Sequence, residues 1–170
     1  MALKEVVTFP DPVLRKTSEE VEKVSEDIRS LIDDMTETMY AYRGIGLAAI
    51  QIGVPKRVIV VDVGEGLVAL VNPTICEEEG EVQMEEGCLC LPGVMVDVKR
   101  SERVTVKGLD EKGEEVIIEA EGLFARALQH ELEHLDGILI VDKVSRIKRE
   151  LLTSALRKLA KEHAAAAKKS

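Results

Sequence analysis

The sequence predicts an α+β fold, with mostly antiparallel sheets packed around a central helix that carries His130-Glu131-Leu132-Glu133-His134. Strand-like apolar runs are grouped between helical segments instead of alternating with them, which favours antiparallel pairing over βαβ crossovers. The helical stripe Leu123, Ala127, His130 and His134, with Phe124, Leu128 and Leu135 alongside, turns both imidazoles toward the core. An N-terminal and a C-terminal helix complete the outline. No repeat and no Pro/Gly-rich linker divides the 170 residues, so a single domain over 1–170 is expected, large enough to bury a core without disulfides.

Taken in order, Pro10 precedes a helical turn over 11–14, and Thr17 with Glu20 has capping-box spacing. From about Ser25 to Ala41, Ile28, Leu31, Ile32, Met35 and Met39 follow helical spacing, and Gly44 supplies the stop. Strand-like runs follow at Arg57–Val63, Leu67–Val71, Ile75–Met84, Val94–Val98, Val104–Leu109 and Glu115–Glu119. Gly64-Glu65-Gly66 and Asp110-Glu111-Lys112-Gly113 are turn signals between them. The histidine helix is expected over about 120–135. A short strand and a last helix over 146–166, ending in the run Ala164–Ala167, close the order.

An apolar content of 45% with 32% charge suits a soluble globular protein. No apolar run reaches membrane-span length, and the start Met1-Ala2-Leu3-Lys4-Glu5 lacks a secretory or transit pattern. A cytoplasmic protein with no membrane and no DNA partner is the expectation. The three cysteines, Cys76, Cys88 and Cys90, argue against a disulfide framework. Cys76 alternates within an apolar strand and reads as a small core residue. The net charge of −9 hides an asymmetry: residues 143–170 carry nine Lys or Arg against two Glu, a net of +7 on a body of −16. A basic helix and tail over 147–170 can serve to dock on a polyanion, or simply be a solvated face.

Histidines four apart lie one turn from each other and can grip one divalent ion. Glu131 follows the first and stands about 100° round the helix, where a base can take a proton from water polarised by that ion. A pair arising by chance on a solvated helix would face water; this pair faces the core, where unliganded imidazoles would need other partners. Two imidazoles leave the ion open. A His-Glu-x-x-His-x-x-Gly-x-x-His frame fails because residue 140 is Ile, and a downstream carboxylate could come only from Glu150 or Glu162 in the basic helix. The better third ligand is a thiolate from Glu86-Gly87-Cys88-Leu89-Cys90-Leu91-Pro92-Gly93, where Gly87, Pro92 and Gly93 describe a tight backbone with a thiol held inside it.

Three segments together resemble the peptide deformylase family of bacterial type: Gly44-Ile45-Gly46-Leu47-Ala48-Ala49-Ile50-Gln51, Glu86-Gly87-Cys88-Leu89-Cys90, and Gln129-His130-Glu131-Leu132-Glu133-His134-Leu135-Asp136-Gly137. The resemblance runs from about Val6 to Lys148 and makes 1–170 a catalytic domain. It implies hydrolysis of the N-formyl group from the initiator N-formylmethionine of nascent polypeptides. It implies one divalent metal per chain on Cys88, His130 and His134, Fe²⁺ in the cell with Zn²⁺ or Ni²⁺ able to replace it. Glu131 would be the catalytic base, with the Gln51 amide and the Leu89 N–H as oxyanion donors. Gly44, Ile45, Gly46 and Leu89 would bind substrate, with Ile45, Leu89 and the flank of His130 around its methionine. Glu86 and Arg100 would form a buried pair bracing the cysteine loop, and the basic C-terminal helix could dock on the ribosome.

Two departures stand out. Cys90 replaces the usual Ser, as an inert side chain, a competitor for the metal, or an oxidation partner for Cys88. Gly93-Val94-Met95 stands where many relatives place an arginine for the substrate backbone. Two other readings remain: a zinc endopeptidase with a downstream Glu ligand, and a non-catalytic, metal-stabilised binding module.

Overall fold

The structure, a computed structural model, describes residues 2–169. Helix α1 (Glu26–Ala41) follows the predicted spacing, with Ile28, Ile32, Met35 and Met39 buried and Glu26 and Asp27 complementing the dipole in its first turn. Its stop differs from expectation. Arg43 takes the left-handed position with φ 57°, while the Gly44 N–H donates to the Met39 carbonyl at 2.9 Å.

Strands β1 (Gly46–Ala48), β2 (Val58–Val61), β3 (Val68–Glu79), β6 (Arg103–Leu109) and β7 (Glu115–Glu121) form a five-stranded antiparallel sheet in the order β1-β2-β3-β6-β7. Strands β4 (Val82–Glu86) and β5 (Val96–Arg100) form a separate antiparallel hairpin. Helix α2 (Gly122–His134) lies between the two layers. Its Ala125, Leu128, Leu132 and Leu135 side pack on Ile59, Val61, Leu70 and Val106 of the large sheet. On the hairpin side, Arg126 donates to the Val98 and Val82 carbonyls, and Gln129 exchanges hydrogen bonds with the Ser101 backbone. Helix α1 covers the opposite face of the sheet, against Leu47, Val58, Val60 and Val71. Both faces of β2 are thus covered, so it reads as an unbroken apolar run.

The predicted runs at 67–71 and 75–84 divide differently: β3 is one strand with a bulge at Asn72 (φ 52°) and Pro73, and β4 begins only at Val82. A second register shift between Ile75 and Glu77 leaves Cys76 as the extra residue, exposed instead of in the core. The expected turn over 11–14 is a 3-10 turn, Pro12–Arg15. No helix follows Thr17, because the segment's backbone bonds elsewhere: Ser18 N–H to Leu135 O and Glu19 N–H to Pro55 O, both 2.8 Å. The expected short strand after α2 is the 3-10 turn Ile140–Lys143. The last helix is two, α3 (Arg146–Leu151) and α4 (Thr153–Lys169). Leu159 of α4 is buried in a third apolar cluster with Leu91, Val96, Val98 and Val141. Among the described residues no helix is long and apolar enough to cross a membrane.

Candidate metal centre

Gly122, at φ 62°, lets β7 run directly into α2. Eight residues on, the helix presents His130 and then His134, whose Nε2 atoms lie 3.2 Å apart. The Cys88 Sγ is 3.3 Å from the His134 Nε2, and the three ligand atoms all fall within 4.8 Å of one another. Cys88 hangs from the loop after β4. That loop is pinned by the Phe9 N–H to the Cys90 carbonyl at 2.8 Å, and turned by the Leu91 N–H to the Cys88 carbonyl at 3.0 Å.

Glu86 accepts from the His130 Nδ1 at 3.0 Å. A proton held there leaves the Nε2 lone pair free for a cation. Glu86 is itself gripped by Arg100, through Nε at 3.0 Å and Nη2 at 2.9 Å, and by Arg126. Burial opposes ionisation of this carboxyl, but the His130 and Arg100 hydrogen bonds hold it down at about 2. Arg100 also meets Glu133, which accepts from Lys143 at 2.6 Å. The expected Glu86–Arg100 pair is therefore part of a larger network. Motif and periodicity leave Arg126, Glu133 and Lys143 unmarked; a cation four residues before His130, on the buried face, is the one signal the sequence carries for Arg126.

Glu131 is 4% exposed, and its Oε1 has no hydrogen-bond partner among the described residues. Burial lifts its carboxyl to about 7, against the opposing charges of His130 and Arg100. Gln51 is buried at 1% exposure. Its Oε1 accepts from the Ala48 N–H at 2.8 Å, which aims the amide nitrogen at Cys88, 3.5 Å from the sulfur. The Cys90 hydrogen bond and burial together push the Cys88 thiol up to about 11. A bound cation would reverse that balance and hold the sulfur as thiolate. One sulfur and two imidazole nitrogens, with the second nitrogen of His130 already committed, fit a borderline divalent ion.

The centre opens into a cleft of about 400 Å³ lined by Gly44, Ile45, Gly46, Gln51, Leu89 and Glu131, among others. His130 lines it too, while His134 is buried beneath at 1% exposure. A Cβ on Gly46 would meet the Glu131 Oε2 at 2.5 Å, and one on Gly44 would meet the Leu89 Cδ1 at 2.9 Å. These glycines thus make room for neighbouring side chains. Leu123, expected in the core stripe, is 51% exposed at the cleft rim, near Ile45, Met84 and Met95. Glu150 is exposed and pairs with Arg146 at 3.5 Å, and Glu162 is exposed on α4, so neither joins the ligand cluster. Cys90 is also outside that cluster, although its sulfur lies 3.1 Å from that of Cys88.

A family profile described as polypeptide deformylase matches residues 3–150. The peptide deformylase of Thermodesulfovibrio yellowstonii is 55% identical over 156 residues, covering 89% of this chain and 94% of that one. Among solved structures, a peptide deformylase from Legionella pneumophila superposes with a TM-score of 0.89 at 43% identity, covering 96% of this chain and 98% of its own. The Ehrlichia chaffeensis peptide deformylase in complex with actinonin gives 0.90 at 42% identity, with 95% and 98% covered.

Proposed function

The chain belongs to the polypeptide deformylase family, and on that premise we propose that Cys88, His130 and His134 hold its divalent metal, with Glu131 as the catalytic base. It is a peptide deformylase, a metallohydrolase that removes the N-formyl group from N-formylmethionyl nascent polypeptides and releases formate and a free N-terminal Met. The observation that carries the site reading is the Cys88–His130–His134 cluster beside the buried Glu131, whose Oε1 has no partner among the described residues.

A divalent ion bound there would act as a Lewis acid, lowering the pKa of a coordinated water from about 16 to about 7. Glu131 takes the water's proton during attack on the formyl carbon and returns it to the departing amine nitrogen as the C–N bond breaks. The Gln51 amide and the Leu89 N–H donate to the developing oxyanion, and loss of one such donor costs about 3 kcal/mol. Gly44, Ile45, Gly46 and Leu89 bind the formyl-methionyl end, with Ile45, Leu89 and the flank of His130 around the methionine side chain. Their common place on one cleft supports this. The resident ion we propose is Fe²⁺, replaceable by Zn²⁺ or Ni²⁺, since one thiolate with two imidazoles suits all three.

Residues 1–170 act as one catalytic domain in the cytoplasm, a setting in keeping with three free cysteines. The basic helices over 147–170 dock on the ribosome, where formylated chains emerge.

Formate release from a formyl-Met peptide, with metal analysis of the same anaerobic sample, tests the site. About one divalent ion per chain is expected. Glu131→Gln should keep that ion and lose nearly all turnover, whereas Cys88→Ala should lose the ion. Metal retained by Cys88→Ala would remove the thiolate from the ligand set, and full turnover by Glu131→Gln would remove the base.

A further inference from the structure

Cys90 has no role in the proposed hydrolysis, yet its sulfur lies 3.1 Å from that of Cys88. It is fully buried among Leu14, Leu91 and Val96, and it stands outside the cluster that Cys88 forms with the two histidines. Cys88, by contrast, lines the cleft and is within reach of small solutes. The pair therefore has an outer sulfur on the cleft side and an inner sulfur against its back.

We propose that Cys88 and Cys90 form a peroxide-responsive dithiol, in which oxidation of Cys88 is captured by Cys90 as a reversible disulfide that unloads the metal. The unloading rests on the ligand set proposed above; the dithiol does not. Hydrogen peroxide is the oxidant. Attack of the Cys88 thiolate breaks the O–O bond, giving Cys88–S–OH, while the other oxygen takes a proton from solvent and leaves as water. The Cys90 sulfur then attacks the Cys88 sulfur, the S–S bond forms, and the hydroxyl departs with the Cys90 proton as a second water. Two electrons pass from the sulfur pair to one peroxide. The sulfurs need close by only about 1 Å to reach bonding distance. A bridge between cysteines two apart in sequence is strained, and strained disulfides are the readily reduced ones. Without Cys90, a sulfenic acid at Cys88 advances to irreversible sulfinic and sulfonic acids.

The test uses the full chain loaded with redox-inert Zn²⁺, in a Cys76→Ala background because Cys76 is exposed. Intact mass, peptide mapping and zinc release to a chromogenic chelator are followed after hydrogen peroxide and again after dithiothreitol. The proposal expects a loss of about 2 Da mapping to a bridge between residues 88 and 90, with zinc set free and both changes reversed by reductant. Cys90→Ala should instead gain about 32 or 48 Da at Cys88, which dithiothreitol does not remove. An unmodified protein in tenfold excess peroxide, or sulfinic acid at Cys88 beside a free Cys90 thiol, overturns the proposal even if Cys90→Ala fails to fold. Absence of zinc before oxidation would instead count against the ligand set, leaving the mass change to decide the dithiol.

Discussion

At the scale of single residues, the site depends on a carboxylate with more donors than a surface pair could supply. Glu86 is shared by Arg100, Arg126 and His130. Removing one partner of a buried ion pair costs about 3–5 kcal/mol, because the remaining charge stays desolvated. Arg126→Leu leaves Glu86 one guanidinium, so the expected loss is near the lower end, a fall in Tm of about 6–12 °C. Thermal unfolding checks it, and a change under 2 °C would mean that Arg100 suffices alone. Gly46 makes the opposite demand, for empty space. A methyl group there would press on Glu131, so Gly46→Ala is expected to cut kcat at least tenfold while metal content holds. Formate release with metal analysis separates this from a folding defect. The paired imidazoles are legible because their spacing on one helix encodes chemistry directly, whereas the roles of Cys88 and Gln51 enter only through the family resemblance. Cys76 and Leu123 depart from expectation because a bulge and a cleft rim reverse the facing that simple periodicity assigns.

At the scale of elements, the join between the chain's beginning and its last helices centres on Asp142. This carboxylate accepts from Arg15, from the Leu139 N–H at 2.9 Å and from Arg149 at 3.2 Å. Burial alone would raise its pKa, but Arg15 and the Leu139 N–H bring it below the usual aspartate value of 3.8. A carboxyl depressed in the folded state contributes stability above the unfolded pKa, and that contribution is lost as pH falls through the folded pKa. Asp142→Asn should therefore lower the urea midpoint at pH 7, with the difference from the parent protein shrinking below about pH 4. Midpoints at pH 7 and pH 3 check this; an equal difference at both would place the effect outside ionisation. Helices α1 and α2 are legible because more than three turns of apolar spacing outweigh local noise. β1 spans only Gly46–Ala48 and lies in an apolar run with no alternation, so nothing local distinguishes it. β3 continues through Pro73 because the residue sits at a bulge, where a strand tolerates proline without ending.

At the scale of the whole molecule, the basic C-terminal segment is an amphipathic cover. Leu159 is buried against the hairpin layer with Leu152 and Leu156 alongside, while Arg157, Lys158 and Lys161 face solvent. Deleting it would uncover the core, so the ribosome-docking proposal is better tested by charge. Arg157→Glu with Lys158→Glu and Lys161→Glu should weaken cosedimentation with ribosomes and flatten its salt dependence, while turnover of a small formyl peptide is unchanged. Cosedimentation unaffected by the three substitutions would defeat docking through this face. The layer order was legible only as a class. Grouped strands announce antiparallel sheets, but the division into five strands and a hairpin depends on pairings far apart in sequence.

The Cys88 sulfur comes from the loop of the small hairpin, and both imidazoles project from the helix wedged beside it. An ion caught by all three would act as a rivet between two slabs. Its escape to a scavenger would then proceed only as fast as the slabs breathe apart, making extraction kinetics a gauge of that motion rather than of complete unfolding.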